Sequence, residues 1–226
     1  MRIVRLAGAL GADIIGIDLR QTMSADLAAA LREALLEHLV IVIRDQQLDA
    51  AQYMRFARAL GEPVEYPFVK GLPNFPQIIQ VMKLEHETVN FGGIWHSDTA
   101  YLEEPPMGSM LLARELPPYG GDTLFANQYL AYETLSGGLQ RMLEGMIAIN
   151  SSAKADVTRT REDRMRDDAR SDARKAYLAE HPVVRTHPET GRKALFIGNH
   201  TQTLFGMKPQ EARPIVEFLQ AHSVQP

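Results

Sequence analysis

The 226-residue chain carries 24 Lys and Arg against 28 Asp and Glu, a formal charge of -4, with 45% hydrophobic residues and no cysteine. Size and composition fit a single globular domain with a buried core, and the mild acidity leaves no broad basic field for nucleic acid or an anionic membrane, so the expected partner is a small molecule. Without cysteine there are no disulfides, thiolate nucleophiles or zinc-thiolate sites, and any metal is held by His, Asp or Glu.

The N-terminal MRIVRLAGALGADIIGIDL is interrupted by Asp13 and Asp18 and shows no signal-peptide pattern. No run approaches the roughly 20 apolar residues of a membrane span, so the expected setting is cytoplasmic. Ile14 to Leu19 is β-rich. Ser24 then suits the cap of a helix running to about His38, with Leu27, Leu31 and Leu35 forming one apolar stripe. LVIVIRD, Leu39 to Asp45, is a short β-branched run of the kind a buried strand requires. Asp49 with Gln52 reads as a capping box for a second helix, ended by Gly61.

From Glu62 to Phe91 the chain is punctuated by Pro63, Pro67, Pro73 and Pro76, and only Gln77 to Met82 reads as a strand; the excursion suits one wall of a pocket. GSMLLARE and DTLFA are two strand candidates flanking the turn LPPYGG. A capped helix begins at Asn127, and a strand follows near Met146 to Asn150. The densely charged Thr158 to Tyr177 reads either as a solvated helix with pairs four residues apart or as a mobile lid. PVVRTHP and RKALFIGN form two strands joined by the turn Pro188 to Gly191, and Pro209 opens a final helix. The order is helices first, then a mostly antiparallel β body.

The chemistry concentrates in GGIWHSDTAYLEEPP. If Ile94 to Asp98 is extended, His96 and Asp98 project to one face and can offer an imidazole nitrogen and a carboxylate to one ion. They would be two ligands of a facial triad of two histidines and one carboxylate, the third lying far off in sequence. The H-x-D pair alone suits a surface turn better than a metal site.

The surroundings add a resemblance. WHSDTAYLEEPP, GSMLLARELPPYGGDTLFAN, AYETL and HPVVRTHPETGRKALFI, in that order, with GADIIGIDL and HLVIVIRDQ before them, closely resemble the taurine and 2,4-dichlorophenoxyacetate dioxygenase family of iron(II)- and 2-oxoglutarate-dependent oxygenases. The likeness covers nearly the whole chain. It implies that His96 and Asp98 are catalytic iron ligands and that the Thr123 hydroxyl helps hold the 2-oxoglutarate carboxylate. Fe(II) would be the cofactor, with 2-oxoglutarate and O2 as cosubstrates. The implied reaction is hydroxylation of an aliphatic C–H of a small organic substrate, with 2-oxoglutarate decarboxylated to succinate and CO2. Relatives that halogenate replace the aspartate with a small residue, so Asp98 favours hydroxylation. The implied fold is mixed α/β and mainly β, a double-stranded β-helix or jelly roll with flanking helices. The family often forms dimers or tetramers, which allows a homo-oligomer. Trp95 is expected in the core.

The family's distal histidine and its 2-oxoglutarate-binding arginine would fall beyond Pro226. Residues 1–226 therefore read as one dioxygenase-like domain, C-terminally truncated and lacking the last strands. His181, His187, His200 and His222 are the downstream substitutes for the third ligand, with His200 in IGNHTQT first among them. The alternative is an inactive or non-catalytic jelly-roll domain. Taurine-cleaving members carry a histidine and a tyrosine where this chain offers Tyr66 and Val69, which makes taurine itself doubtful as the substrate.

Overall fold

The computed structural model describes residues 1–86, 88, 92–154 and 177–225, and these gather into two compact units, 1–86 with 88, and 92–154 with 177–225. Eight short strands and five α-helices among the described residues make a mixed α/β protein. Most of the charged segment Thr158 to Tyr177 lies outside the described residues.

In the N-terminal unit, β1 (Arg2–Arg5) pairs antiparallel with β2 (Ala12–Ile15), and β2 pairs parallel with β3 (Ile41–Val42). The parallel pair is joined by α1 (Ala25–His38), capped as its sequence predicts: the Ser24 hydroxyl accepts from Leu27 N at 3.2 Å. Leu31 is fully buried on the expected stripe. α2 (Ala50–Leu60) opens with the capping box, Gln52 N to Asp49 at 2.7 Å and Asp49 N to Gln52 at 3.0 Å.

LVIVIRD does not form the expected long buried strand. Leu39 (φ 65) and Asp45 (φ 58) turn left-handed at its two ends, so the ladder is confined to Ile41–Val42, half-buried beside β2. Gln77 to Met82 is likewise no strand. The chain there is organised by a tight loop in which Phe75 N donates to Leu72 O and Leu72 N to Ile78 O. Gly71 is required, since a Cβ would run into the Pro76 carbonyl group. Val69 is buried within this unit and Tyr66 meets Phe68 edge-on.

The second unit is built on α3 (Gln128–Glu133), α4 (Gly137–Leu143), β4 (Ile147–Ser151), β5 (Leu178–Pro182), β6 (Val184–Thr186), β7 (Lys193–Leu195), β8 (Thr201–Leu204) and α5 (Pro209–His222). The order β5-β4-β8 makes an antiparallel sheet, and β6 with β7 makes the expected hairpin across Pro188 to Gly191. Burial alternates along β5, putting Ala179 and His181 inward. The sheet, the hairpin and the helices share one core in which Leu143, Ala148, Val183 and Leu219 are fully buried.

Neither GSMLLARE nor DTLFA becomes a strand. A strand exists only where a neighbour completes its ladder, and no described strand lies alongside these segments. Their large apolar side chains stay open to solvent, Leu111 at 76% and Leu124 at 71%. Trp95 is 44% exposed and so is not the core residue expected.

Candidate metal centre

His96 and Asp98 meet without a strand to align them. The backbone from Gly92 to Asp98 is irregular, Thr99 follows at φ 50, and Leu102 N returns to Thr99 O at 2.9 Å, closing a turn directly after the aspartate. A left-handed β-branched residue is a strained one, held here because Thr99 and the next two residues, Ala100 and Tyr101, are buried. Gly92 (φ 69) is needed on the other side: a Cβ there would stand 3.1 Å from His96 Cε1.

His96 Nε2 lies 3.2 Å from Asp98 Oδ1. His96 Nδ1 is 2.7 Å from the Ile94 carbonyl oxygen, and because a carbonyl only accepts, Nδ1 carries a proton and donates it. The remaining nitrogen, Nε2, is favourable so close to a carboxylate oxygen only with a proton or a cation between them. Two cis ligands each about 2.1 Å from an octahedral ion stand about 3 Å apart, so the pair has the span of two adjacent coordination positions. A backbone carbonyl on the outer imidazole nitrogen is how metal-binding histidines are oriented. The donor set therefore fits an imidazole- and carboxylate-binding ion.

The hydrogen bond to Asp98 raises His96 above the ordinary value of 6.5, against desolvation that would lower it. Asp98 is held below the usual carboxylate range, first by that same bond and further by the Ser109 hydroxyl, which donates to Oδ2 at 2.5 Å. The charge of His200 lowers it too. The stretch carrying the pair passes near the loop between β7 and β8. A Cβ added at Gly198 would come into ordinary contact with Ser97; the Gly198 carbonyl accepts from Gln220 Nε2 of α5 at 2.6 Å, and its N donates to Thr201 Oγ1 at 3.2 Å. The Thr201 hydroxyl in turn donates to the buried Asn150 Oδ1 at 2.9 Å.

Of the other sequence candidates, His200 lies within electrostatic reach of Asp98. Thr123 is exposed in the irregular segment and has no hydrogen bond to either His96 or Asp98. His181 is buried and bonded to Leu102 O at 2.8 Å, His187 serves the hairpin turn by accepting from Glu189 N, and His222 bonds Ala131 O at 2.8 Å. His200 is buried, edge-on to Tyr101 at 4.8 Å. Among the described residues, no group of three His, Asp or Glu is placed to hold one ion. Ser109 and the Ile94 carbonyl escaped sequence reasoning. GSMLLARE reads as a strand by hydrophobicity, and nothing in that pattern marks its serine as a partner of Asp98.

A sequence profile of the taurine catabolism dioxygenase TauD, TfdA family matches residues 2–226. An α-ketoglutarate-dependent sulfate ester dioxygenase of Pseudomonas putida is 32% identical over 224 residues, covering 96% of this chain and 72% of its own length. A taurine dioxygenase from Burkholderia xenovorans superposes with a TM-score of 0.79 at 28% identity, over 100% of this chain and 73% of that one. A second structure, AAD-2 in complex with Mn(II) and N-oxalylglycine, gives a TM-score of 0.75 at 26% identity, over 100% of this chain and 81% of that one.

Proposed function

This chain belongs to the taurine catabolism dioxygenase TauD, TfdA family, a family of α-ketoglutarate-dependent dioxygenases, and on that premise we propose that it hydroxylates an aliphatic C–H of a small organic substrate. The substrate class we favour is a sulfate ester or sulfonate, with carboxylates and amino-acid-like compounds next, and the reaction is coupled to decarboxylation of 2-oxoglutarate to succinate and CO2. The sulfate ester dioxygenase relative supports that order, and the buried Val69 supports setting taurine aside. The observation that carries the proposal is the His96–Asp98 pair, with one imidazole nitrogen and one carboxylate oxygen facing each other at 3.2 Å.

In this reading His96 Nε2 and Asp98 Oδ1 hold Fe(II), and the Thr123 hydroxyl contributes to the 2-oxoglutarate carboxylate. Iron and 2-oxoglutarate, when bound, supply the oxidising chemistry with O2. The chain's own share is to keep the two ligands at cis spacing. The Ile94 carbonyl fixes the tautomer, Gly92 leaves room for the imidazole, and the Thr99 turn brings the carboxylate back to it. The likeness across residues 2–226 supports one dioxygenase domain with a jelly-roll body, and the sequence readings above favour a cytoplasmic setting and leave room for a homo-oligomer.

A second reading has a specific observation behind it: no three-ligand group exists among the described residues, and the resemblance finds no counterpart for the distal histidine and arginine within residues 1–226. In that reading the 226 residues bind a cation weakly and do not turn over. The test is substrate-stimulated O2 uptake and succinate formation with Fe(II), 2-oxoglutarate and a panel of sulfate esters and sulfonates. The 226-residue chain is assayed beside any longer polypeptide of which it forms part. Stimulated turnover that disappears in Asp98→Ala is the expected result. Turnover unchanged by Asp98→Ala removes Asp98 from the site, and no stimulated uptake in any form overturns the dioxygenase reading.

A further inference from the structure

We propose that Ser109 is a positioning residue that makes Asp98 a one-oxygen ligand, an inference that rests on the cation-site reading above. The two oxygens of the Asp98 carboxylate are in different situations. Oδ1 faces His96 Nε2 at 3.2 Å, the side on which an ion shared with the imidazole would sit. Oδ2 is turned to the opposite partner and accepts the Ser109 hydroxyl at 2.5 Å. An O–H donated to an ionised carboxylate at that separation belongs to the short, charge-assisted class, about twice as strong as a neutral hydrogen bond. While it stands, the carboxylate cannot swing to present both oxygens to one ion. A bidentate carboxylate occupies two coordination positions, whereas a one-oxygen carboxylate occupies one, so the Ser109 bond keeps a position free for a small-molecule oxygen. Ser109 touches neither that molecule nor the ion; it acts through Asp98.

The consequence is a serine and an aspartate 11 positions apart, joined across a stretch with no ladder, whose bond sets the coordination mode. Ser109 is exposed and in no helix or strand, so its replacement leaves the core untouched. The experiment is a Mn(II) titration of the 226-residue chain, followed by paramagnetic broadening of the His96 imidazole proton signals, a readout that registers weak binding without turnover. Wild type, Ser109→Ala, Ser109→Thr and Asp98→Asn are compared, with thermal melts alongside. In Ser109→Ala the lost orientation of Asp98 is expected to outweigh the second oxygen it frees, so that Mn(II) binds about tenfold more weakly with an unchanged melt, whereas Ser109→Thr, which keeps the hydroxyl, binds as wild type does. Equal affinity in wild type and Ser109→Ala overturns the role of Ser109 while leaving the cation site standing. Equal affinity in wild type and Asp98→Asn, or no broadening of His96 in wild type, overturns the cation-site reading and this inference with it.

Discussion

The helices, sheet and hairpin of residues 128–154 and 177–225 and the irregular stretch from Gly92 to Ala126 belong to the same compact unit, yet they are held by different means. In the first, helix and strand faces converge on a shared apolar core, with Leu143, Val183 and Leu219 fully buried. In the second, apolar side chains such as Leu111, Leu116 and Tyr119 face solvent, and shape comes from turns, a strained threonine and a few polar bonds. Hydrophobic burial is non-directional and tolerates adjustment, so it builds a scaffold. Two ligand atoms at cis spacing need direction, which hydrogen bonds and backbone dihedrals supply. The chemistry accordingly sits on the stretch with little core of its own.

If that division is right, truncation should hurt very differently in the two regions. Leu219→Ala, deleting a fully buried side chain of α5, is expected to lower stability by about 2–5 kcal/mol. Leu111→Ser, at a residue 76% exposed, is expected to stay within about 0.5 kcal/mol. Urea denaturation followed by far-ultraviolet circular dichroism measures both, and comparable losses would break the comparison.

The Thr201 hydroxyl is a polar joint: it donates to Asn150 across the β4–β8 pair and accepts from the Gly198 amide of the preceding loop. Thr201→Val keeps the side-chain volume but strands the buried Asn150 carbonyl oxygen and the Gly198 amide. We expect a loss of about 1–3 kcal/mol, read by the same denaturation. Should the variant unfold at the wild-type urea midpoint, the joint contributes nothing to holding that loop.

Gly92→Ala tests the irregular stretch at a point where it has no slack. The substitution costs about 1–2 kcal/mol for the left-handed backbone, and the new methyl must displace the His96 imidazole from 3.1 Å. The stability loss is smaller than for Leu219→Ala, but the His96 proton signals should shift. A wild-type His96 spectrum in this variant would show that the imidazole does not depend on the space Gly92 leaves.

The same contrast explains what the sequence reveals. Caps depend on residues within one turn of each other, and Ser24, Asp49 with Gln52, and Asn127 all act as their neighbours indicate. The β6–β7 hairpin and the start of α5 are as local, the one marked by its turn and the other by Pro209. Ladders depend on partners remote in sequence. Hydrophobic runs such as Gln77 to Met82, GSMLLARE and DTLFA therefore have the composition of strands without the neighbours that make strands. LVIVIRD fails at its ends for a different reason, the left-handed Leu39 and Asp45, which a β-branched composition does not disclose. At the site, His96 and Asp98 are legible because their spacing is two residues. Ser109 is not, since its bond to Asp98 spans 11 positions and leaves no periodic trace. Thr123 enters through the family resemblance, and its hydroxyl makes no hydrogen bond to the pair.

The smallest effect concerns the pair itself. His96 lies above 6.5 and Asp98 below 3.8 because each is bonded to the other. A raised histidine favours the folded form below its unfolded value and loses that contribution as pH rises through its folded value. A depressed aspartate contributes above its unfolded value and loses that contribution as pH falls through its folded one. In the metal-free chain the pair is thus at full strength between about pH 3.8 and pH 6.5, and it fades on both sides. Solvent reaches both side chains, 34% exposed for His96 and 58% for Asp98, so the stability change is modest and a site-resolved measurement is the right one. Titration of the His96 Cε1 proton by NMR in metal-free protein should give a midpoint above 6.5, falling toward that value in Asp98→Asn. Ser109→Ala leaves the His96 bond in place and should move that midpoint less than Asp98→Asn does. Equal midpoints in wild type and Asp98→Asn would show that imidazole and carboxylate do not share a proton, and the irregular stretch would then lose its main claim to directing two atoms at one ion.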